Sequence, residues 1–143
     1  MMRGILKTVI FSIAITVLCV VMAACSSQKT EENLWENAAY TEDTVLGEGE
    51  KSVMVEVAAQ ERSVTFTINT DKENLEDALT EHNLVSGEKG AYGLYIKKVN
   101  GIVADYNVNQ SYWSLSKDGE YMQTGAGDTK ISDGDKYELT YAR

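Results

Sequence analysis

Two segments of this chain place apolar residues at every second position. Valine, phenylalanine or isoleucine occupies alternate positions of residues 53–57 and 64–68. A period of two is expected of strands that bury one face. Because only a short stretch around Gln60-Glu61 separates the two segments, we predict that they pair as a β-hairpin.

A helical period follows in residues 72–84, KENLEDALTEHNL. Residues that fall on one helical face recur three or four positions apart, at Leu75, Ala78, Leu79 and His82. Thr70 and Glu73 have the spacing of a capping box ahead of this pattern. We therefore predict one amphipathic helix that ends before Gly87 and covers one face of a sheet.

Turn residues divide the rest of the chain into short segments. Asn-Gly and Asp-Gly pairs are typical of tight hairpin turns, and they occur at 100–101, 118–119 and 133–134. The predicted strands are Leu94–Val99, Ile102–Asp105, Tyr112–Lys117, Tyr121–Gln123 and Lys136–Tyr141. The order β-β-α-β-β-β-β-β predicts a small α+β domain with a mixed or antiparallel sheet and one covering helix.

The N-terminus carries a different pattern. Arg3 and Lys7 precede an almost unbroken apolar stretch, and Met22-Ala23-Ala24-Cys25 closes it. This arrangement resembles a bacterial lipoprotein signal peptide, which implies cleavage after residue 24 and lipidation of Cys25. The alternative is a transmembrane helix over residues 5–24, since about 20 apolar residues suffice to span a bilayer.

Residues 25–52 are polar and acidic and have no sustained period. We interpret them as the lipidated Cys25 followed by a flexible tether, with the folded domain at 53–143. Trp35 and Tyr40 are exceptions in composition. They are interpreted as scattered linker aromatics, or alternatively as side chains that pack on the domain or contact a partner.

Charge and cysteine content restrict the function further. Removal of residues 1–24 takes Arg3 and Lys7 but no acidic residue, so the formal net charge changes from −9 to −11. Such a chain repels phosphate backbones, so no nucleic acid is expected as a partner. Cys19 leaves with the signal peptide and Cys25 is lipidated, so no thiol remains for a disulfide, a metal or catalysis.

No pattern of catalytic residues is present. The sequence has one histidine, His82, and no Gly-x-Ser-x-Gly motif or phosphate-binding glycine loop. We interpret His82 as a packing residue near the helix end rather than a cobalt or zinc ligand. The protein is therefore predicted not to be an enzyme, and to require no cofactor or metal.

Three stretches of the second half resemble a known family, the transcobalamin-like C-terminal domain family, called in bacteria domain of unknown function 4430. They are YIKKVNG (95–101), YWSLSKDGEYMQTGAGD (112–128) and ISDGDKYELTYA (131–142). Trp113, Gly119, Gly125 and the Asp133-Gly134-Asp135 turn occur at the family's spacing. The resemblance implies a β-grasp-like fold, and in the vertebrate cobalamin carriers this domain closes over a bound corrinoid.

The resemblance also implies a ligand-facing edge at Tyr121, Gln123, Thr124 and Gly125. Glycines there let a backbone approach a ligand, or they simply form a turn. Tyr112 and Trp113 add aromatic rings, but neighbouring strand residues point to opposite faces, so only one belongs to the core. The core interpretation of Trp113 is favoured, and the alternative is an outward ring for a planar ligand.

The late aspartates also allow two interpretations. Asp128, Asp133 and Asp135 bring carboxylates to one end of the domain, but their spacing is not that of a calcium loop. We favour a tight turn before the last strand.

The expected function is therefore non-enzymatic ligand binding by a surface lipoprotein anchored outside the cell. The ligand is a corrinoid or another small molecule, captured for a membrane transporter. The alternative is a module of the cell envelope that adheres to a protein or a glycan.

Overall fold

The computed structural model describes residues 32–143, and the compact unit within it begins at Asn33. Cys25, the signal peptide and the predicted cleavage site lie outside the described residues. The strands are β1 (Thr44–Leu46), β2 (Lys51–Ala59), β3 (Arg62–Thr70), β4 (Val85–Gly90), β5 (Gly93–Val99), β6 (Ile102–Val103), β7 (Tyr112–Lys117), β8 (Glu120–Tyr121) and β9 (Lys136–Ala142). The helices are α1 (Leu75–Thr80) and α2 (Tyr106–Asn109), and 3-10 turns form at Leu34–Asn37 and Ala126–Asp128.

The strands form two sheets rather than one. The larger has six strands in the order β1-β3-β2-β9-β7-β8, and the smaller has the order β4-β5-β6. At the centre of the larger sheet, β2 and β9 run parallel, whereas β3 and β7 flank them antiparallel. This central parallel pair between antiparallel neighbours is the strand arrangement of a β-grasp, so the predicted mixed α+β fold is confirmed.

The alternation along the central strands places one face of the large sheet in the core. Val53, Val55 and Val57 of β2 are fully buried, as are Phe66 and Ile68 of β3. Helix α1 and the small sheet contribute the opposite side of this core through Leu75, Leu79, Val99 and Ile102. In residues 32–143 no helix is long and apolar enough to cross a membrane.

Helix α1 is shorter than the sequence pattern predicts. Thr70 belongs to β3 and pairs with Lys51, so it is not the helix cap. Instead, the Asn74 side chain accepts a hydrogen bond from the Asp77 amide at 2.8 Å and donates one to the Asp77 carboxylate at 3.0 Å. The helix ends early because Asn83 adopts a left-handed φ of 54°, which allows the Leu84 amide to reach the Leu79 carbonyl.

Two of the predicted turns have the expected geometry. Asn100-Gly101 and Asp118-Gly119 both have two successive positive φ angles, as a type I′ turn requires. Strand β4 was not predicted, because only Val85 of its six residues is buried. At Gly87 the register shifts, and a Cβ atom there would lie 1.8 Å from the Tyr95 carbonyl oxygen.

Of the residues predicted as a flexible tether, 25–52, those from Asn33 onward pack on the domain instead. Trp35 is buried, and its indole N–H donates to the Ala59 carbonyl at 2.9 Å. The Arg62 guanidinium stacks over the Trp35 ring, and Tyr40 packs edge-on against Phe66. The same segment also contributes β1, which pairs in parallel with β3, although its polar composition did not predict a strand.

Asn100 holds the same segment at Tyr40 and Ala39. Its side-chain oxygen accepts the Tyr40 amide at 2.9 Å, and its side-chain nitrogen donates to the Tyr40 carbonyl at 2.8 Å. The Ala39 amide donates to the backbone carbonyl of Asn100. The Asn100 side chain thus makes the two hydrogen bonds to the Tyr40 backbone that a neighbouring strand would otherwise make. It is 1% exposed, so these bonds are shielded from water.

The Asp133-Gly134-Asp135 turn fastens the start of β9 to β2. Asp133 accepts the Ser52 amide at 2.7 Å, and the Gly134 amide donates to the Ser52 carbonyl. Asp135 accepts the Ser132 amide and the Tyr137 hydroxyl. Both aspartates therefore serve the turn, in agreement with the interpretation that was favoured over calcium binding.

Burial raises the pKa of the Asp135 carboxyl, but its partners outweigh that effect. The Ser132 amide, the Tyr137 hydroxyl and the Lys117 ammonium together hold the pKa below its ordinary value of 3.8. A carboxyl with a depressed folded-state pKa stabilises the fold above its unfolded-state pKa. This contribution is lost as the pH falls through the folded-state value.

We expect Asn100→Ala to destabilise the protein by about 1–3 kcal/mol, because it leaves the Tyr40 amide and carbonyl without their partner. Denaturant unfolding followed by tryptophan fluorescence measures the loss, and hydrogen exchange should show deprotection of residues 38–41. The control is Asn107→Ala, at an exposed position of α2. Equal stabilities of the two variants would contradict the buried role of Asn100.

We expect Asp135→Asn to lower stability above pH 4 by about 1–2 kcal/mol and to flatten its decline below pH 3.8. The measurement is the free energy of unfolding between pH 2 and pH 7. Asp118→Asn, at an exposed turn position, is the control and should keep the wild-type slope. A variant that keeps the wild-type acid dependence would contradict the assigned pKa direction.

Candidate functional site

The structure decides between the two orientations of the Tyr112-Trp113 pair. Trp113 is 8% exposed, packs edge-on against Tyr141 and donates its indole N–H to the Ile102 carbonyl at 3.3 Å. The core interpretation of Trp113 is therefore confirmed, and the outward aromatic platform at this position is wrong. Tyr112 is exposed on the opposite face of the large sheet.

The remaining residues of the predicted ligand edge lie on two sides of the molecule. Tyr121 pairs with Ser116 on β7, which places it on the same solvent face as Tyr112. Gln123, Thr124 and Gly125 are exposed in the loop that crosses to the layer of α1. Of the six predicted residues, only Gly125 approaches a cleft, since a Cβ on it would lie 3.6 Å from the Tyr92 carbonyl oxygen.

This cleft, which we call the hairpin cleft, has a volume of about 380 Å³. The start of α1 forms one wall with Glu76. The tip of the β4–β5 hairpin forms the second with Lys89, Tyr92 and Gly93, and the 3-10 turn at Gly127-Asp128 forms the third. The Gly-rich loop that the sequence singled out thus belongs to the cleft through Gly127.

Glu76 is the most buried charged group of the hairpin cleft. Its side chain is 11% exposed although it lies on a two-turn helix. One carboxylate oxygen, Oε2, accepts the Leu94 amide at 3.4 Å, and the other, Oε1, lies 3.6 Å from the Lys89 ammonium. Both contacts are long, so the carboxylate is weakly satisfied for a group at this depth.

One glycine makes room for this carboxylate in its observed position. A Cβ atom on Gly127 would lie 2.5 Å from the Glu76 Oε2 atom, whereas one on Gly93 would lie 3.4 Å from it, an ordinary van der Waals contact. The chain must therefore lack a side chain at Gly127 for Glu76 to occupy its position. This close approach explains the glycine in physical terms, beyond the formation of a turn.

The sequence pattern did not identify Glu76, Lys89 or Tyr92. Glu76 follows Leu75 in the helix and reads as a solvent-facing acid of an amphipathic pattern. Its burial results from the β4–β5 hairpin, and β4 carries no alternation that predicts a strand. Only the glycines at 125 and 127 signalled that a backbone approaches something closely here.

The described residues do not form a preorganised metal site. Between residues 32 and 143, no three His, Cys, Asp or Glu side chains converge closely enough to hold a metal ion. Asp77 is engaged by the Asn74 cap, and Glu76 by Lys89 and Leu94. His82 lies beyond the end of α1, with its Nε2 atom buried close to Gly47.

Two solved structures are similar to this chain. A protein from Ruminococcus gnavus ATCC 29149, provisionally named as a metal binding protein, is 39% identical, with a TM-score of 0.63. The match covers 66% of this chain and 98% of that chain. Haptocorrin in complex with Cbi is 22% identical with a TM-score of 0.53, which shows a shared fold.

The haptocorrin match covers 65% of this chain but only 25% of haptocorrin, so the likeness concerns one part of that protein. Among curated proteins, none matches this sequence significantly. The family model "Domain of unknown function (DUF4430)" matches residues 72–143, which include α1, the small sheet and the whole hairpin cleft. The chain therefore belongs to the DUF4430 family, whose transcobalamin-like fold it shares.

Proposed function

We propose that this protein is a lipid-anchored, non-enzymatic domain that binds a small molecule in the hairpin cleft. The observation that carries the proposal is the weakly satisfied Glu76 carboxylate, buried between three backbone segments that line one cleft. A volume of about 380 Å³ lies within the range of small-molecule sites. The two similar solved structures also support ligand binding. The Ruminococcus gnavus protein is named for a metal, and haptocorrin was solved with Cbi.

A corrinoid is the ligand that the family resemblance favours. Tyr92 is 91% exposed at the rim of the hairpin cleft, where its ring offers a flat apolar surface to a planar molecule. The cleft is open on one side, so it suits contact with one face or edge of a large ligand. In this proposal, the domain captures the molecule at the cell surface and passes it to a membrane transporter.

The N-terminal segment enters the domain at the end of the large sheet opposite the hairpin cleft. Leu34 and Trp35 bind Gln60 and Ala59, so the chain enters the domain at the β2–β3 turn. The hairpin cleft lies by the start of α1, which follows Thr70 at the other end of these nine-residue strands, about 30 Å away. Seven residues separate Cys25 from Asn33, which limits the reach from a lipid anchor to about 28 Å.

The corrinoid proposal is tested with the full chain in detergent and cobinamide as the probe. Equilibrium dialysis should show retention at micromolar concentration, and Tyr92→Ala should weaken it by about tenfold, as loss of an aromatic contact surface does. Tyr106→Ala is the control, because Tyr106 is also exposed but lies on α2, outside the hairpin cleft. Absence of retention at high micromolar concentration would refute corrinoid binding by this chain.

The anchor is tested separately. We expect Cys25→Ala to abolish incorporation of labelled fatty acid and to leave the signal peptide uncleaved. The measurements are metabolic labelling and the mass of the protein recovered from membranes. Cys19→Ala is the control, and it should be processed and labelled normally. Unchanged labelling of the Cys25 variant would sink the lipoprotein assignment.

A second candidate function, adhesion to an envelope protein or a glycan, has an observation of its own. The solvent face of the large sheet exposes Val45, Met54, Tyr112 and Tyr121. Aromatic rings on a flat face suit sugar rings and protein surfaces. Loss of envelope binding on Tyr112→Ala, with cobinamide binding absent, would favour this function.

A further inference from the structure

The structure assigns to Glu76 the recognition of a cationic group on the ligand, and we propose that the hairpin cleft selects molecules that carry an alkylammonium. This inference rests on the proposed ligand-binding function, but not on the identity of the ligand as a corrinoid. It concerns the Glu76 carboxylate and a ligand ammonium that donates hydrogen bonds to it.

The first step is the shortage of donors around Glu76. A carboxylate has about four lone-pair sites, and a buried one is normally filled by hydrogen bonds. Among the described residues, the Glu76 carboxylate has one amide at 3.4 Å and one ammonium at 3.6 Å. It therefore retains acceptor capacity directed at the cleft that it lines.

The second step is that the chain maintains this arrangement. Gly127 lacks the Cβ that would collide with the Glu76 Oε2 atom at 2.5 Å, and Gly93 flanks the same atom from the hairpin. The helix cap formed by Asn74 and Asp77 holds the first turn of α1 and hence the direction of Glu76. The cap fixes the turn that carries Glu76, and the missing Cβ of Gly127 leaves room beside the carboxylate for a donor.

The third step concerns Lys89. Its ammonium shows that a group of this kind pairs with the Glu76 carboxylate. Its ammonium lies by Glu76 Oε1, yet its side chain is 81% exposed. A pair with one solvated partner at this distance is weak, so a ligand ammonium is able to replace Lys89. Asp77 and Asp128 also line the cleft, so its net charge is negative and it disfavours anionic ligands.

The test uses the full chain in detergent and three probes of equal length: n-butylammonium, butyramide and butyrate. Amide chemical shifts of Gly93, Leu94 and Gly127 report binding at millimolar concentrations. Butylammonium should shift these resonances, butyramide should do so more weakly, and butyrate should not. Glu76→Gln should weaken butylammonium binding by about tenfold or more, as loss of a charge-assisted hydrogen bond does.

Lys89→Met gives a prediction of opposite sign. Removal of the competing ammonium should strengthen butylammonium binding by about two- to fivefold, because a weak ion pair no longer has to be broken. The matched control for Glu76→Gln is Glu138→Gln, the same chemical change on the solvent face of β9, and it should leave binding unchanged. If Glu76→Gln does not fold, binding of the three probes to the wild type and to the Lys89→Met variant still tests the inference.

Equal binding of butyrate and butylammonium would overturn the inference, as would weaker binding after Lys89→Met. Saturation of the same resonances by Ca²⁺ at lower concentration than butylammonium would also overturn it in favour of a metal. Butylammonium binding that is unaffected by Glu76→Gln would refute this role of Glu76, and cobinamide retention in the same protein would leave the proposed function intact. Butylammonium binding without cobinamide retention would support the inference and refute the corrinoid.

Discussion

The whole fold depends on how the apolar face of a six-stranded sheet is covered. Strand β2 has nine residues and is about 30 Å long, whereas α1 has six residues and is about 9 Å long. The helix therefore covers only a fraction of this face. The small sheet and the N-terminal segment with Trp35 complete the second layer, and each contributes residues to the one core.

This division of the second layer creates the hairpin cleft. The β4–β5 hairpin packs beside the start of α1, so its tip and Glu76 line one cleft, with the Lys89 ammonium 3.6 Å from the carboxylate. The chain returns through the 3-10 turn at Ala126–Asp128, where Ala126 is buried and Gly127 approaches Glu76.

The parts of the fold that the sequence predicts are those in which local pattern and tertiary burial agree. The β2–β3 hairpin, β7, β9 and the turns at Asn100 and Asp118 follow directly from alternation and turn chemistry. Strand β4 and the packing of Trp35 do not, because long-range contacts rather than local pattern decide them. The helix cap was displaced by four residues because Thr70 is paired in β3.

The candidate site was predictable only in part, for the same reason. The glycines at 125 and 127 indicated the loop that borders the hairpin cleft. Trp113 was correctly predicted to belong to the core. Tyr112 and Tyr121 lie on the other face of the sheet from the hairpin cleft, so the predicted ligand edge divides between two surfaces. The sequence did not identify Glu76, because its burial depends on the β4–β5 hairpin and the sequence pattern did not predict β4.

The most direct measurement of the central claim is a map of amide chemical shifts over residues 32–143, recorded with and without saturating ligand. If the hairpin cleft is the binding site, the shifts will be confined to the start of α1, the tip of the β4–β5 hairpin and residues 125–128. Shifts centred on Tyr112 and Tyr121, with the three cleft segments unchanged, would contradict the account.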